Sequence, residues 1–183
     1  MVLVFAAVGV SGSGKTTTLE YLISRLSQEG YKVGAIKHIH RENFTIDREG
    51  TNTWRFNKAG AKITVAVSPE EIATIKKTDS ALNSLNEIIG TLKKEELDVV
   101  FIEGFHSAIA KRPDIVKVVT AKTSEDLKKT LDETVQPIIG ITGLVAKNKS
   151  GCDENGIPLL DLPHDGEKLV LLLKKYWKKT ISP

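Results

Sequence analysis

The amino-acid sequence predicts an α/β fold in which a mostly parallel, twisted sheet is covered by helices on both faces. Apolar runs of strand length alternate with segments of helical period, an order typical of parallel strands joined by crossing helices. The first apolar run, Val2–Val8, leads at once into a glycine-rich loop and then into an amphipathic segment. A length of 183 residues suits one domain, predicted here over residues 1–183.

Three strands and one helix are predicted in the first half of the chain. The first run is apolar throughout, as strands buried on both faces are. A helix is predicted over Lys15–Glu29 because apolar residues recur at i, i+3, i+4 and i+7, and Gly30 then ends it. Lys32–Lys37 and Ile63–Val67 are predicted as strands. The polar stretch between them, residues 38–60, has a length typical of functional connections.

The second half of the chain continues the alternation. A helix is predicted over Leu85–Glu96, opening with a capping box from Ser84 to Glu87. The remaining predicted elements are strands over Asp98–Ile102, Ile115–Thr120 and Pro137–Thr142, helices over Ser124–Leu131 and Gly166–Lys179, and a turn or hairpin over residues 148–157.

Composition and charge exclude several classes of protein. The 26 Lys and Arg residues nearly balance the 23 Asp and Glu residues, whereas a nucleic-acid-binding protein concentrates basic residues on one surface. The single cysteine, Cys152, excludes a disulfide framework and a cysteine metal cluster. No apolar run reaches the length of a membrane span, and the first residues lack the basic start of a signal peptide. We therefore expect a soluble cytoplasmic protein with neither a nucleic-acid nor a membrane partner.

Residues 9–16 match the phosphate-loop pattern G-x-x-x-x-G-K-[ST] at every fixed position. The glycines let consecutive backbone N–H groups point at phosphate oxygens, and the next helix aims its positive end at the same phosphates. Lys15 is predicted to reach the β- and γ-phosphates, and the Thr16 hydroxyl is placed to bind Mg²⁺. The sheet is therefore predicted to be of the P-loop NTPase kind. The predicted nucleotide-binding residues are Gly9, Ser11, Gly12, Ser13, Gly14, Lys15, Thr16 and Thr17.

Glu103 is the predicted acidic partner for the Mg²⁺ ion. It ends the apolar run Val99–Ile102, and Gly104 lets the chain turn directly afterwards. Phosphate loops commonly work with an acidic residue at the end of a neighbouring buried strand. Asp98 begins the same run, about 17 Å away at roughly 3.3 Å per residue, and cannot share the site. Glu103 is thus predicted to be catalytic and to bind magnesium; the alternative is an exposed glutamate at a strand end.

The segment from Lys37 to Ala61 holds the remaining candidate residues. His38 and His40 occupy alternate positions, which point to opposite faces of a strand, and too few ligands accompany them for a transition-metal site. Lys37, His38, His40 and Arg55 are instead predicted to bind an anionic substrate or a partner. Asp47 is predicted to be a second catalytic carboxylate at the Mg²⁺ ion, although a turn-forming role fits it equally well.

Two aromatic residues, Phe44 and Trp54, lie in the same segment. They offer flat apolar surface of the kind found in ring-binding sites and interface hot spots. The alternative is that both rings pack beneath the loop as a small satellite core.

Several motifs together resemble the MobB family: Lys37-His38-x-His40, Phe44-x-x-Asp47-x-x-Gly50, Trp54-Arg55, Ala59-Gly60-Ala61, the strand end Glu103-Gly104-Phe105 and the phosphate loop. The resemblance implies a GTP-binding, weakly hydrolysing accessory protein of molybdenum cofactor biosynthesis. Its implied partner is the guanylyltransferase that joins GMP to molybdopterin, and a molybdopterin-type ligand and a homodimer are implied too. The chain departs from the family at Asn52-Thr53, where Asp-Ser is common, and the stretch from His40 to Asp47 is one residue longer.

Guanine preference rests on that resemblance, because the base-reading pattern Asn-Lys-x-Asp is broken. Asn148-Lys149-Ser150 is followed by Gly151, and Asp153 comes two positions late. Three alternatives stay open: a small-molecule kinase, a module in which bound GTP only sets a conformation, and a metal-insertion GTPase. The chain has five arginines, none after Arg112, which disfavours the arginine-rich lid of a kinase. The lack of a Cys/His cluster disfavours metal insertion.

Overall fold

The computed structural model describes residues 2–41, 43–77 and 85–181. They form two compact units, the larger made of Met1–His38 with Ile89–Pro183 and the smaller of Ile39–Ile88. The single nucleotide-binding domain over residues 1–183 stays a prediction.

The strands that the sequence predicted begin and end close to the predicted positions, and one further strand, β4 (Ile72–Lys76), is present. They are β1 Leu3–Gly9, β2 Val33–Lys37, β3 Ile63–Val67, β4 Ile72–Lys76, β5 Val99–Glu103, β6 Val116–Thr120 and β7 Ile138–Thr142. The helices are α1 Lys15–Gln28, α2 Asn52–Lys58, α3 Leu85–Thr91, α4 His106–Ala110, α5 Ser124–Glu133 and α6 Gly166–Ile181. Among the helices of the described residues, none is both long and apolar enough to cross a membrane.

A five-stranded parallel sheet in the order β2-β5-β1-β6-β7 forms the centre of the larger unit. Strands β1, β5 and β6 are buried along nearly their whole length because their residues are almost all apolar. Phe5 and Phe101 meet edge to face, with ring centroids 5.4 Å apart. Burial of each such ring contributes about 1.5–3 kcal/mol. The parallel arrangement brings the carboxyl ends of all five strands to one edge, where ligands of open α/β sheets bind.

Helices α1 and α6 cover one another and the sheet through their apolar faces. Gly30, at φ 88°, follows α1 as predicted and donates its N–H to the Ser27 carbonyl. In α6, Trp177 packs against Tyr31 with ring centroids 5.2 Å apart. The helix predicted over Leu85–Glu96 is shorter, because after α3 the chain forms a 3₁₀ turn at Lys93–Glu95. Ser84 of the predicted capping box lies outside the described residues.

The smaller unit contains elements that the sequence pattern did not predict. The expected strand Ile63–Val67 is confirmed as β3, but it pairs antiparallel with the unpredicted β4 in a separate two-stranded sheet. The polar stretch 38–60 includes α2, whose first turn is capped by the Thr51 hydroxyl accepting the Trp54 N–H at 3.3 Å. Neither element carries the long apolar run that predicted the central strands.

Candidate functional site

The phosphate loop lies between the end of β1 and the start of α1, as predicted. Gly9, Gly12 and Gly14 all have positive φ angles, at 152°, 70° and 102°. Gly9 is also a point of close approach, because a Cβ there would lie 2.0 Å from the Thr120 carbonyl oxygen of β6. The helix begins at Lys15, so the N–H groups of its first turn have no partner within the helix and face the loop.

Lys15 folds back over its own loop. Its Nζ donates to the carbonyl oxygens of Gly9 at 2.9 Å and Val10 at 2.6 Å. Burial lowers the pKa of the Lys15 ammonium; the Glu103 carboxylate opposes that effect, and the charges of Lys37 and Lys122 add to it. The ammonium is therefore held over the concave side of the loop, where phosphate oxygens would replace the two carbonyls as acceptors.

The structure brings Thr16, Glu103 and Lys37 together at the carboxyl edge of the sheet. The Thr16 hydroxyl donates to Glu103 Oε2 at 2.9 Å, and Lys37 Nζ donates to Glu103 Oε1. Strand register explains the pairing, because Lys37 on β2 lies directly beside Glu103 on β5. The Glu103 side chain is only 12% exposed, so it is not a solvated strand-end residue. A threonine hydroxyl and a carboxylate oxygen are ligands that Mg²⁺ accepts.

The electrostatics of Glu103 favour its charged form. Burial raises the pKa of the carboxyl, but hydrogen bonds from Lys37 and Thr16 and the charges of Lys37 and Lys15 outweigh burial and bring the pKa below its usual value. Glu103 is therefore a carboxylate at neutral pH, as a magnesium ligand has to be.

Threonines at the ends of β6 and β7 support the loop from beneath, and the sequence reasoning missed them. The Ser13 and Thr120 hydroxyls are 2.6 Å apart and buried, and those of Thr18 and Thr142 are 3.0 Å apart. Ser13 also donates to the Val10 carbonyl at 2.8 Å. The sequence does contain a signal for them, because Thr120 and Thr142 are the polar residues at the ends of the apolar runs of β6 and β7. Ser13 thus acts on the loop through its side chain as well as its backbone.

A turn after β5 fixes the backbone next to Glu103. The His38 N–H donates to the Glu103 carbonyl at 2.8 Å, and the His38 ring stacks on Phe105 at a centroid distance of 4.1 Å. Gly104 is required here, since a Cβ would lie 2.5 Å from the His38 Cβ. Phe105 adopts a left-handed φ of 53°, a conformation that non-glycine residues rarely hold. The predicted role of His38 in ligand binding stays a prediction.

A cavity of about 340 Å³ adjoins the phosphate loop on the β7 side. The loop and α1 contribute Gly12, Ser13, Gly14, Thr17 and Thr18 to its wall. The opposite wall contains Lys147 and Asp161, which the sequence reasoning did not select. A short apolar run followed by an acidic residue, the kind of pattern that identified Glu103, is also present at Pro158-Leu159-Leu160-Asp161.

The remaining predicted residues lie in the smaller unit. Both oxygens of Asp47 accept side-chain hydrogen bonds there: Oδ1 from Thr51 at 3.1 Å and Thr53 at 2.8 Å, and Oδ2 from Asn57 at 3.2 Å. Burial raises the pKa of the Asp47 carboxyl, but these bonds outweigh it and lower the pKa overall. His40 and Arg55 are exposed. The magnesium-binding role of Asp47 stays a prediction.

A second cavity, about 350 Å³ in volume, lies within the smaller unit. Phe44 and Trp54 form part of its wall, together with Lys58 and Lys77. The Lys58 ammonium lies 5.3 Å from the centre of the Trp54 ring. Phe44 is 47% exposed, so the interpretation of both rings as a buried satellite core does not fit the structure.

Comparison with known proteins decides the family. The model of the MobB family, described as molybdopterin guanine dinucleotide synthesis protein B, matches residues 4–140. That range contains the phosphate loop, the whole 37–61 segment and Glu103. The chain belongs to the MobB family. The resemblance predicted from the sequence motifs is therefore confirmed.

Relatives of known name agree with this membership. A protein of Methanocaldococcus jannaschii, named provisionally as a molybdopterin-guanine dinucleotide biosynthesis adapter protein, is 35% identical over 136 residues, 74% of this chain and 54% of that protein. The molybdopterin-guanine dinucleotide biosynthesis adapter protein of Haemophilus influenzae is 32% identical over 133 residues, 73% of this chain and 70% of that protein. The chain thus spans about half the length of the first relative.

The crystal structure of Bacillus subtilis MobB aligns with a TM-score of 0.74 and 28% identity, covering 94% of this chain and 96% of that chain. The predicted P-loop NTPase-like fold, a mostly parallel sheet with helices, is confirmed by this likeness. Within the part of the chain that the structure describes, no three His, Cys, Asp or Glu side chains converge as a metal-binding group.

Proposed function

We propose that this MobB-family chain is a GTP-binding adapter protein of molybdenum cofactor biosynthesis that assists the formation of molybdopterin-guanine dinucleotide. The observation that carries the proposal is the Thr16–Glu103 hydrogen bond of 2.9 Å beside an intact phosphate loop. Family membership supplies the pathway, since the named relatives are adapter proteins of molybdopterin-guanine dinucleotide biosynthesis.

Magnesium would be held by Thr16 and Glu103, which already share a hydrogen bond. When bound there, Mg²⁺ would offset the negative charge of the terminal phosphates. Lys15 moves from the loop carbonyls to the phosphates, and the loop N–H groups surround the phosphate oxygens. Lys37 keeps Glu103 ionised and aligned.

Turnover is proposed to be slow. The larger unit supplies phosphate-binding groups and a magnesium site, and these suffice to bind a triphosphate and polarise it. Five arginines in the whole chain leave little provision for the clamp that fast phosphoryl transfer uses. A weak Mg²⁺-dependent GTPase, rather than a kinase, fits this set of residues.

The smaller unit is proposed to bind an anionic pterin-type ligand or the partner enzyme. Its cavity combines two flat rings, Phe44 and Trp54, with two ammonium groups, Lys58 and Lys77. A ring that carries a phosphate needs this combination of stacking surface and positive charge. Arg55 and His40, on the same unit, are proposed to contribute to that recognition.

A homodimer is proposed through the exposed face of the β3–β4 hairpin. Val65, Val67 and Ile72 are 54%, 73% and 71% exposed, and strand register places Val67 beside Ile72. Contiguous apolar side chains on one hairpin face are typical of a surface that a partner covers. A second copy of the chain would cover this face with its own equivalent apolar surface.

Reconstituted synthesis of the dinucleotide tests the proposed function. The partner would be the guanylyltransferase that joins GMP to molybdopterin, in the cytoplasm. We expect wild-type protein with GTP and Mg²⁺ to stimulate product formation, Lys15→Ala to abolish stimulation with loss of nucleotide binding, and Arg55→Ala to reduce stimulation while binding GTP normally. Full stimulation by Lys15→Ala would contradict the proposal. Phosphate release measured in parallel separates turnover from simple binding.

A further inference from the structure

We infer that Asp161, together with Lys147 and Leu144, forms the base-binding end of the nucleotide cleft and selects guanine over adenine. The inference rests on the proposed nucleotide-binding function and names the group that reads the base. It starts from the cavity of about 340 Å³ that shares its wall with the phosphate loop.

Sheet order places this cavity where a nucleoside has to lie. Glu103 ends β5 on one side of β1, whereas the cavity is bounded by Gly143, which follows β7 on the other side. A nucleotide with its terminal phosphates at the Thr16–Glu103 pair therefore extends its base away from β5, toward β7. Thr17, directly after Thr16, lines the near wall of the cavity.

The path of the backbone places Asp161 at the carboxyl edge of the parallel sheet. Residues 158–160 run parallel to β7: Ile141 N–H donates to the Pro158 carbonyl and Leu160 N–H donates to the Ile141 carbonyl, both at 2.8 Å. They therefore act as a short extra strand. Asp161 follows the carboxyl end of this strand, just as Glu103 lies at the carboxyl end of β5. This is the edge where ligands of parallel sheets bind.

Hydrogen bonds hold both the carboxylate and the backbone of Asp161 in place, and they leave one carboxylate oxygen available. Asn148 N–H donates to Oδ2 at 2.8 Å, and Asp161 N–H donates to the Asp165 carboxylate at 3.0 Å. Within the residues that the structure describes, Oδ1 accepts no hydrogen bond. The broken Asn-Lys-x-Asp pattern supplies no aspartate at its fourth position, and the backbone N–H of Asn148 instead fixes an aspartate from a different part of the chain.

The chemistry of this wall fits guanine. A carboxylate only accepts hydrogen bonds. Guanine offers it two adjacent donors, the N1–H and the 2-amino group, whereas adenine presents an N1 lone pair that repels it. Leu144 and Leu162 give the cavity apolar walls for the flat faces of the base, and the alkyl part of Lys147 adds to them. Sites that hydrogen-bond a ligand in this way strongly reject analogues that lack the donors.

Exchange of the aspartate for asparagine tests the inference through a change of specificity. Oδ2 has to remain an oxygen to accept the Asn148 N–H, so in Asp161→Asn the amide nitrogen replaces Oδ1. That NH₂ group repels the guanine 2-amino group but donates to xanthine, which carries an oxygen at C2. Asp132→Asn is the matched control, because it makes the same change on an exposed residue of α5 outside the cavity.

Calorimetric titrations with GDP, ADP and xanthosine diphosphate in Mg²⁺ give the readout. We expect wild type and Asp132→Asn to prefer GDP, and Asp161→Asn to lose GDP affinity by on the order of 10- to 100-fold and to bind xanthosine diphosphate more tightly than GDP. Two results would overturn this inference but leave the proposed function standing. They are wild-type GDP affinity retained in Asp161→Asn, and equal affinity of the wild-type protein for ADP and GDP. A wild-type protein that binds no guanine nucleotide overturns the proposed function, and the inference with it.

A second variant covers the case in which Asp161→Asn does not fold. Leu144 is 60% exposed, so Leu144→Arg leaves the core intact and places a bulky side chain in the base cavity. We expect this variant to bind GDP at least about tenfold more weakly and inorganic pyrophosphate as wild type does, since the phosphate loop is untouched. Unchanged GDP affinity would overturn the inference.

Discussion

The two units of this MobB-family chain differ in how much of each is buried in a core of its own. In the larger unit, β1, β5 and β6 are buried almost throughout, and hydroxyl pairs beneath the phosphate loop fix it to β6 and β7. Among the described residues of the smaller unit only Thr64 and Leu85 are buried. A tightly packed frame therefore holds the phosphate loop and Glu103, while the smaller unit leaves apolar and cationic side chains exposed, as its proposed recognition role requires.

The difference has an energetic basis. A two-stranded hairpin is marginally stable on its own, whereas a five-stranded sheet covered by helices has a continuous core. Catalytic geometry needs groups held to within fractions of an ångström, which only the second arrangement provides. Exposed surfaces such as the β3–β4 face gain stability instead when a partner covers them.

Glycine substitutions give the largest expected effect and test the comparison directly. Gly9→Ala forces a Cβ to 2.0 Å from a backbone oxygen and should lower the free energy of unfolding by about 3 kcal/mol. Gly60→Ala has a positive φ of 111° but open space around it, so we expect a loss of about 1–2 kcal/mol.

The chain provides a separate optical probe for each unit in these experiments. Trp177 lies in the larger unit and Trp54 in the smaller, and they are the two tryptophans of the chain. Urea titrations of Trp54→Phe and Trp177→Phe backgrounds, followed by fluorescence, separate the two transitions. A greater loss for Gly60→Ala than for Gly9→Ala would contradict the view that the larger unit is the tightly packed one.

The second prediction concerns hydrolysis. Glu103→Gln preserves shape and removes the charge beside Thr16, so GTP hydrolysis should fall on the order of 100-fold, with a smaller loss of GTP affinity. Asp47→Asn is the matched change in the smaller unit and should have much less effect, because Asp47 already accepts three side-chain hydrogen bonds there. Single-turnover phosphate release measures both. Wild-type hydrolysis and Mg²⁺ dependence in Glu103→Gln would make Glu103 an ordinary strand-end residue.

The third prediction tests the exposed hairpin face. Ile72→Lys should weaken self-association at least about tenfold, because it places a charge among apolar side chains that a second copy would bury. Leu171→Lys is the control in the larger unit, since Leu171 is also a large apolar residue, 65% exposed, on α6. Sedimentation velocity over a concentration series measures the effect. Equal behaviour of the two variants would remove the hairpin as the dimer surface.

The smallest expected effect is an absence of pH dependence. The pKa of Glu103 lies below its usual value, so the carboxylate is present above that lower pKa, and the stabilisation it gives with Lys37 is lost only as the pH falls through it. The ratio of Mg²⁺-dependent GTP affinities of wild type and Glu103→Gln should therefore stay constant from about pH 8 to pH 5.5, above the ordinary carboxyl pKa of about 4.3. Titrations at three pH values check this. A decline between pH 7 and 6 that Glu103→Gln abolishes would contradict the lowered pKa.

The sequence predicted the larger unit well because burial leaves a readable pattern. Continuous apolar runs located the central strands to within about two residues, and the phosphate loop followed from spacing alone. Glu103 was found because it closes such a run. Asp161 was missed because its run, residues 158–160, is too short to be recognised without the neighbouring β7.

The smaller unit was harder to predict for the opposite reason. β4 is exposed along most of its length, so its residues carry no burial signal. The seven residues of α2 have none buried, and its Thr51 cap stands among many other polar residues. The hydrogen bonds that occupy Asp47 come from Thr51, Thr53 and Asn57, and they depend on α2 being present. A structural role for Asp47 could not be separated from a catalytic one without that helix.

Calorimetric titration of GTP, with and without Mg²⁺, into wild type, Lys15→Ala and Arg55→Ala tests the central claim, that the larger unit binds the nucleotide while the smaller unit reads another partner. In the proposed site Lys15 provides a charge-assisted contact to phosphate, so we expect its loss to weaken GTP binding on the order of 100-fold. Arg55→Ala should bind GTP as wild type does, and Mg²⁺ should strengthen binding in both wild type and Arg55→Ala. Unchanged GTP affinity in Lys15→Ala, or a comparable loss in Arg55→Ala, would contradict the division of labour between the two units.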